Sequence, residues 1–424
     1  MKTFAASVGL LALGTSVLSA VDTKVLNSQQ SSKPWSVSAS LRGFYDDNIN
    51  SAPRGSANKV ESVGFQVNPT LNYGFVGEQT SVNFGYSLGA NYYENRPNLS
   101  SKWSLTHTLE AALSQTFNPR VNVSLKDSFV IGQEPDFLQV ANSPLATSQR
   151  ISGDNKRNYA SMNLNLQATS LLGFQVGYGN TIYNYADSGP ESNSARLDRM
   201  EHAIHLDSRW TLQPETIGII GYGFTEVGYT ADERISPLLA PVVKSDARNS
   251  RVHTFSVGAE HTFSPDLSGD LRGGMQVVDY YNNPSASTKI SPYVQGSLRY
   301  MYRATSSLEA GVTLQRSPSD AFNSTTGGSY VLDAQSLVLY GAWVHEIIPH
   351  LHSNVNGSVQ QAKFNGGDLN GQSDMYYRLG LSLAYEFTKN MSASVGYNYD
   401  QADSDVSFRA YNRNRVYIGL TAAY

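Results

Sequence analysis

The chain has 424 residues, with 31 Lys or Arg against 35 Asp or Glu, eight His and a formal net charge of −4. Neither sign dominates, which excludes the basic surface that a nucleic-acid partner requires. There is no cysteine, which excludes disulfides, thiolate metal sites and a lipidated cysteine anchor.

The first element, residues 1–20, reads as a secretory signal peptide: Lys2, an apolar run from Phe4 to Leu18, and a small-residue end at Ala20. Its removal takes away Lys2 and leaves 30 basic against 35 acidic residues. Residues 21–34 are expected to form a short periplasmic segment, too small for a plug domain. Residues 35–424 form the body of the protein. No apolar run in it approaches the ~20 residues of a membrane helix. The whole chain holds 26 Tyr and 35 Gly, and only 16% of it is charged.

Alternation is the dominant signal of this body, least clean in the seventh, ninth and fourteenth expected strands. Val82, Phe84, Tyr86, Leu88, Ala90 and Tyr92 are interleaved with Asn83, Gly85, Ser87, Gly89 and Asn91. Period two predicts strands with one apolar face. The expected strands, in order, are 35–46, 60–75, 80–95, 102–117, 121–132, 157–171, 174–186, 199–212, 216–229, 250–263, 267–282, 288–303, 307–317, 330–347, 351–364, 374–387, 391–404 and 411–424. They exceed the ~5–6 residues usual in soluble sheets and suit the ~9–11 of a tilted membrane strand.

Tight turns at 77–79, 118–120, near 172–173, 213–215, 264–266, 304–306, 348–350 and 388–390 alternate with longer polar loops at 47–59, 96–101, 133–156, 187–198, 230–249, 283–287, 318–329, 365–373 and 405–410. Short turns on one side and long loops on the other predict an all-β fold: a single closed antiparallel transmembrane β-barrel of about 18 strands, with 16 as the alternative count.

Aromatic side chains mark the strand ends that enter the tight turns: Phe75, Phe117, Trp210, Phe263, Tyr302, Phe387 and Tyr424. A girdle at one level is expected where strands leave the lipid. Tyr45, Tyr92, Tyr159, Tyr280, Tyr377 and Tyr411 are expected to form its counterpart at the other ends.

The last strand, with Val416, Ile418, Leu420, Ala422 and Tyr424 on one face, resembles the terminal assembly signal of outer-membrane proteins. That resemblance implies insertion by the barrel-assembly machinery. The stretch LRGFYDDNIN, residues 41–50, resembles the opening of the "Putative beta-barrel porin-2" family, where a first strand runs into an acidic Tyr45-Asp46-Asp47-Asn48 segment. The resemblance implies an outer-membrane barrel and says little about cargo.

With the apolar face outside, the other face lines a lumen. It carries Arg42, Glu201, His205, Asp207, Arg209, Arg299, Arg303, Arg378, Glu386, Asp400, Arg413 and Arg415, with Glu110, Lys126, Glu260, Asp270, Arg272 and Glu309 beside them. Both signs suit a water-filled channel, and a barrel of this size leaves one unless plugged. Arg42, Arg378, Arg413 and Arg415 fall on strands that neighbour each other across the closure. They read either as a basic strip that orients anionic or sugar solutes, or as partners of lumen acids such as Glu386 and Asp400.

The longest loop, 133–156, holds Glu134, Asp136, Arg150 and Asp154 with several apolar residues. It resembles the third long loop of diffusion porins, which folds inward and narrows the barrel opposite an arginine cluster. A surface loop is the alternative.

No H-E-x-x-H or phosphate loop occurs, so no catalytic or metal site is assigned. Asp46 and Asp47 invite calcium, but two adjacent acids read first as turn residues. No cofactor is implied. The sequence therefore predicts an outer-membrane channel of a Gram-negative-type bacterium for passive or weakly selective diffusion of small hydrophilic solutes. Lipid and lipopolysaccharide surround it, and a homo-oligomer is left open. The alternative is a barrel for polysaccharide export or a surface scaffold.

Overall fold

A computed structural model describes residues 34–97, 101–133, 153–190, 192–236, 242–323 and 329–424. The signal peptide and all of the 21–34 segment except Pro34 lie outside them. The alternation becomes backbone in β1 (Trp35–Asp46), β2 (Ser62–Val76), β3 (Thr80–Tyr93), β4 (Trp103–Asn118), β5 (Val121–Gly132), β6 (Asn155–Gln167), β7 (Leu172–Tyr185), β8 (Arg199–Gln213), β9 (Thr216–Tyr229), β10 (Ser250–Ser264), β11 (Leu267–Asp279), β12 (Lys289–Arg303) and β13 (Ser306–Ser317). A small hairpin, β14 (Phe322–Asn323) and β15 (Ser329–Tyr330), precedes β16 (Asp333–Ile348), β17 (Leu351–Asn365), β18 (Ser373–Thr388), β19 (Met391–Ser404) and β20 (Tyr411–Ala423).

Setting the small hairpin aside, every strand pairs antiparallel with the next, and β13 pairs with β16. β20 returns to β1 in a register that runs from Ser38↔Ala423 to Asp46↔Arg415. The result is one closed sheet of 18 strands, which satisfies every strand edge. The same register shift comes just before six of the tight turns, for instance between Thr116 and Asn118 and between Thr211 and Gln213. A bulge there turns each descending strand into its hairpin.

Large apolar side chains stand exposed on the outer face, as in Val416, Ile418 and Leu420 of β20. Water would not tolerate such a belt, whereas hydrocarbon favours it.

Three expectations need correction. The turn placed near 172–173 is at 168–171, with Leu172 and Gly173 already in β7. There the N–H groups of Ala168 and Thr169 both donate to the Leu172 carbonyl, at 2.9 and 3.0 Å, and Thr169 Oγ1 accepts from Leu172 N at 3.0 Å. A threonine turn overrides the apolar pattern. Residues 330–332 are not in β16, since Tyr330 belongs to the small hairpin. Tyr159, Tyr280 and Tyr411 do not join an outer girdle. Tyr159 and Tyr411 share inward parity with Arg157 and Arg413, and Tyr280 and Tyr411 are buried.

The buried apolar core sits at the outer mouth. Ala321, Val331, Phe364, Leu369, Tyr376 and Val406 belong to one cluster, so the segments around Ala321 and Val331 and the loops 366–372 and 405–410 fold inward against the tops of β16 to β20. Arg409 lies 2.9 Å from both Asp320 and Asp374, and all three side chains are largely withdrawn from solvent. A second cap holds a short helix, α1 (Asn193–Leu197), whose N-cap Ser192 accepts from Ala195 N at 3.0 Å. Arg248 stacks on Tyr229 beside it, 3.8 Å from the ring centroid.

The lumen wall as candidate functional site

Alternation decides which side chains reach the lumen. On β8, Ile204, Leu206, Trp210 and Leu212 are exposed outward, so Glu201, His205, Asp207 and Arg209 point in. On β10 and β11 the same parity brings Glu260, Asp270 and Arg272 to the inner wall.

These groups join into a chain of ion pairs. Arg209 donates to both Glu260 carboxylate oxygens, at 2.7 and 2.6 Å, across the intervening β9. Arg272 donates to Asp207 at 2.6 Å and lies 3.8 Å from Glu260. Ser297 of β12 donates to Asp270. Gly221 of β9 makes room for the crossing, because a Cβ there would come within 2.6 Å of Asp207 Oδ1. The arginines therefore lie along the wall. Bidentate pairing of this kind fixes geometry as well as charge. Glu201 is held by Arg199 at 2.7 Å. The Nε2 atom of His205 is buried without a hydrogen-bond partner.

A second charge cluster lies at the seam. Asp46 is fully buried and receives Arg413 Nε and Nη2 at 2.9 and 2.6 Å and Arg415 Nε at 3.1 Å. It is thus the last residue of β1, tied into the wall rather than free in a turn or disposed toward calcium. Asp47 accepts from Lys59 and Asn414. Asp400 stands opposite Arg378 on one side and Arg413 on the other. Arg378 also donates to Gln360 at 3.2 Å, and Arg42 lies over the Tyr417 ring at 5.3 Å. The arginines predicted as a strip are neighbours, as expected, but the acid that holds Arg413 and Arg415 is Asp46. Glu386 instead faces His350 and His352 near the tight-turn end, at 3.6 and 3.5 Å.

Arg299 stands opposite Glu309 on β13. Among the described residues Arg299, Arg303 and Lys126 make no ion pair. The arc from β3 to β6 is otherwise mostly neutral on its inner face, with Asn83, Ser87, Thr108, Ser124, Ser161 and Asn163. Of the 133–156 loop, Glu134, Asp136 and Arg150 lie outside the described residues, and Asp154 accepts from Gln133 at 2.6 Å.

Phe75, Phe117, Trp210, Phe263, Phe387 and Tyr424 stand exposed at the tight-turn ends. Tyr302 is half-buried there, accepting from Trp343 Nε1 at 2.7 Å. Among the described residues, no three His, Asp or Glu side chains are grouped to hold a metal ion.

Sequence reasoning missed Arg199, Arg316, Asp333, Asp374 and Arg409. Arg316 and Asp333 form a buried pair at the outer mouth. All five sit at strand tops or in loops, where periodicity stops, so no facing signal marked them.

Among solved structures the chain is similar to the outer-membrane protein OpdK of Pseudomonas aeruginosa, at 11% identity and a TM-score of 0.45, over 92% of this chain and 99% of that one. OccAB2 of Acinetobacter baumannii gives 10% identity and a TM-score of 0.44 over 92% and 98%. OccK8 (OprE) of Pseudomonas aeruginosa gives 12% and 0.44 over the same shares. Likeness at this level says nothing of cargo. No curated protein matches the sequence. The model of the family "Putative beta-barrel porin 2" matches residues 167–424, well over half of the chain and downstream of the 41–50 stretch. The closed 18-stranded sheet and this match together place the chain in that family, as a porin-type barrel of the Gram-negative outer membrane.

Proposed function

We propose that the barrel passes small hydrophilic solutes by passive or weakly selective diffusion. The observation that carries this reading is the state of the lumen charges. Arg209, Glu260, Arg272 and Asp207 are paired along the wall, which leaves a polar surface without a strong single-sign ring. Lys126, Arg299 and Arg303 share the inner face with Glu110, Asp270 and Glu309, so neither sign prevails strongly. Glu201, Asp207 and Arg209 are each engaged in an ion pair and serve this reading as lumen lining. A cleaved signal peptide over residues 1–20 and insertion by the assembly machinery through β20 belong to the same reading. Self-association is left to measurement.

A second reading has one observation in its favour. The apolar cluster under β16 to β20 fills part of the outer mouth, as a surface scaffold or a gated export barrel would require. Conductance in a planar bilayer separates the two. A diffusion channel gives discrete steps linear in voltage, with weak ion preference. A barrel that inserts and stays silent sinks the channel reading.

A further inference from the structure

One pairing recurs on the lipid-facing side of the wall, once at the tight-turn end, where the Tyr302 hydroxyl meets His345 Nδ1 at 2.8 Å, and three times further toward the loops. Tyr86, Tyr178 and Tyr222 each lie six residues after the first residue of an ascending strand, Thr80, Leu172 and Thr216. Each hydroxyl meets the Nδ1 atom of a histidine on the following strand: His107 at 2.9 Å, His202 at 2.8 Å and His253 at 2.9 Å. In every case the histidine stands opposite the residue two beyond the tyrosine, as Leu88↔His107, Asn180↔His202 and Phe224↔His253. The ring centroids are 6.2, 6.1 and 6.2 Å apart. Tyr397, six residues into β19, repeats the relationship with Asn414 at 2.7 Å.

The three pairs toward the loops share one height. His107, His202 and His253 precede Phe117, Leu212 and Phe263 by ten residues each, and those three are strongly exposed at the tight-turn ends. Ten residues at about 3.3 Å each, tilted by roughly 40°, rise about 25 Å, the height of the apolar band of such barrels. The tight-turn girdle marks one edge of the hydrocarbon, so the histidines lie at the other edge, among the headgroups of the outer leaflet. Lys156, ten residues before Leu166, adds an outward cation at the same level.

With the phenol as donor, each pair presents an Nε2 N–H at this height. A phenol that donates to Nδ1 leaves the proton of a neutral imidazole on Nε2. Nε2 of these three histidines makes no hydrogen bond to any described residue. Asn414 differs, because its Nδ2 already donates to Asp47 at 2.8 Å. Glu226, opposite His202, is engaged by Arg251 at 3.1 Å.

We propose that the three Tyr–His pairs bind the phosphate groups of outer-leaflet lipid and so fix the height of the barrel in the membrane. The test is native mass spectrometry of the purified barrel with phosphatidylglycerol and a phosphate-free glycolipid of the same acyl chains. The wild-type barrel should retain phosphatidylglycerol at least about tenfold better, since a hydrogen bond to a charged acceptor is worth about that factor. Combining His107→Phe, His202→Phe and His253→Phe should abolish the preference. Combining Tyr86→Phe, Tyr178→Phe and Tyr222→Phe should weaken it, because the tautomer is then unfixed. Single histidine variants, each a smaller burden on folding, should each remove part of it. Millimolar inorganic phosphate should not displace the lipid. Equal retention of the two lipids by the wild type overturns the proposal, as does a preference unchanged in the triple histidine variant or displacement by free phosphate.

Discussion

Arg413 on β20 and Asp46 on β1 join the last strand to the first across the barrel seam, with Nη2 and Oδ2 2.6 Å apart in a site closed to solvent. Arg415 adds a second cation to the same carboxylate.

The seam should fail when the acid is removed alone. Asp46→Ala leaves two arginines without their shared partner, and losing one member of a buried pair costs about 3–5 kcal/mol. Replacing all three, with Asp46→Leu, Arg413→Met and Arg415→Met, should cost much less. Urea unfolding in vesicles measures both. Equal losses would mean that the pairing is incidental to closure.

Ion preference should follow the cations outside the pairs. Combining Lys126→Gln, Arg299→Gln and Arg303→Gln should shift reversal potentials toward cations, most clearly near 0.01 M salt, where the Debye length is about 30 Å. Arg413→Met should chiefly lower stability and leave the reversal potential nearly unchanged. The opposite ranking would restore the seam arginines as the selectivity strip.

Orientation can be read by single cysteines, because the chain has none of its own. Ser285→Cys, in the exposed loop between β11 and β12, should react with an impermeant maleimide on intact cells. Arg120→Cys, in the turn between β4 and β5, should react only after lysis. Labelling of Arg120→Cys on intact cells would invert the topology.

Asp198, in the loop just before β8, accepts from Tyr185 N and from Ser194 Oγ, both at 2.7 Å. Burial is the larger influence and holds its carboxyl above the usual range. A raised value means that its contribution to stability is full below the ordinary carboxyl pKa and is lost as pH rises through the folded value. Protease protection of the 186–198 loop should therefore be greater at pH 4 than at pH 7. Asp198→Asn should remove that difference. A pH dependence that survives the substitution assigns it to another group.

The strands were legible because period two is a local signal. Bounds read as 35–46, 121–132, 216–229 and 391–404 are those of β1, β5, β9 and β19. Parity also told which charges face inward. It could not tell which of them meet. Arg272 reaches Asp207 diagonally past β10 and β9, and that depends on Gly221 lacking a side chain. Asp46 fell within the strand read as 35–46, but its partners were hidden for a related reason: only the far end of the chain brings Arg413 and Arg415 alongside it. The inward-folded loops were illegible altogether, since aperiodic segments carry no facing.

The Arg409 link has an electrical consequence. Because one guanidinium holds both Asp320 of the loop and Asp374 of β18 at 2.9 Å, lifting that part of the cap would strand buried charges on two elements at once. Thermal opening of this edge should be rare, so single-molecule current traces should be quiet, with little flicker. In Arg409→Met, the same traces should become noisy before any change in mean current.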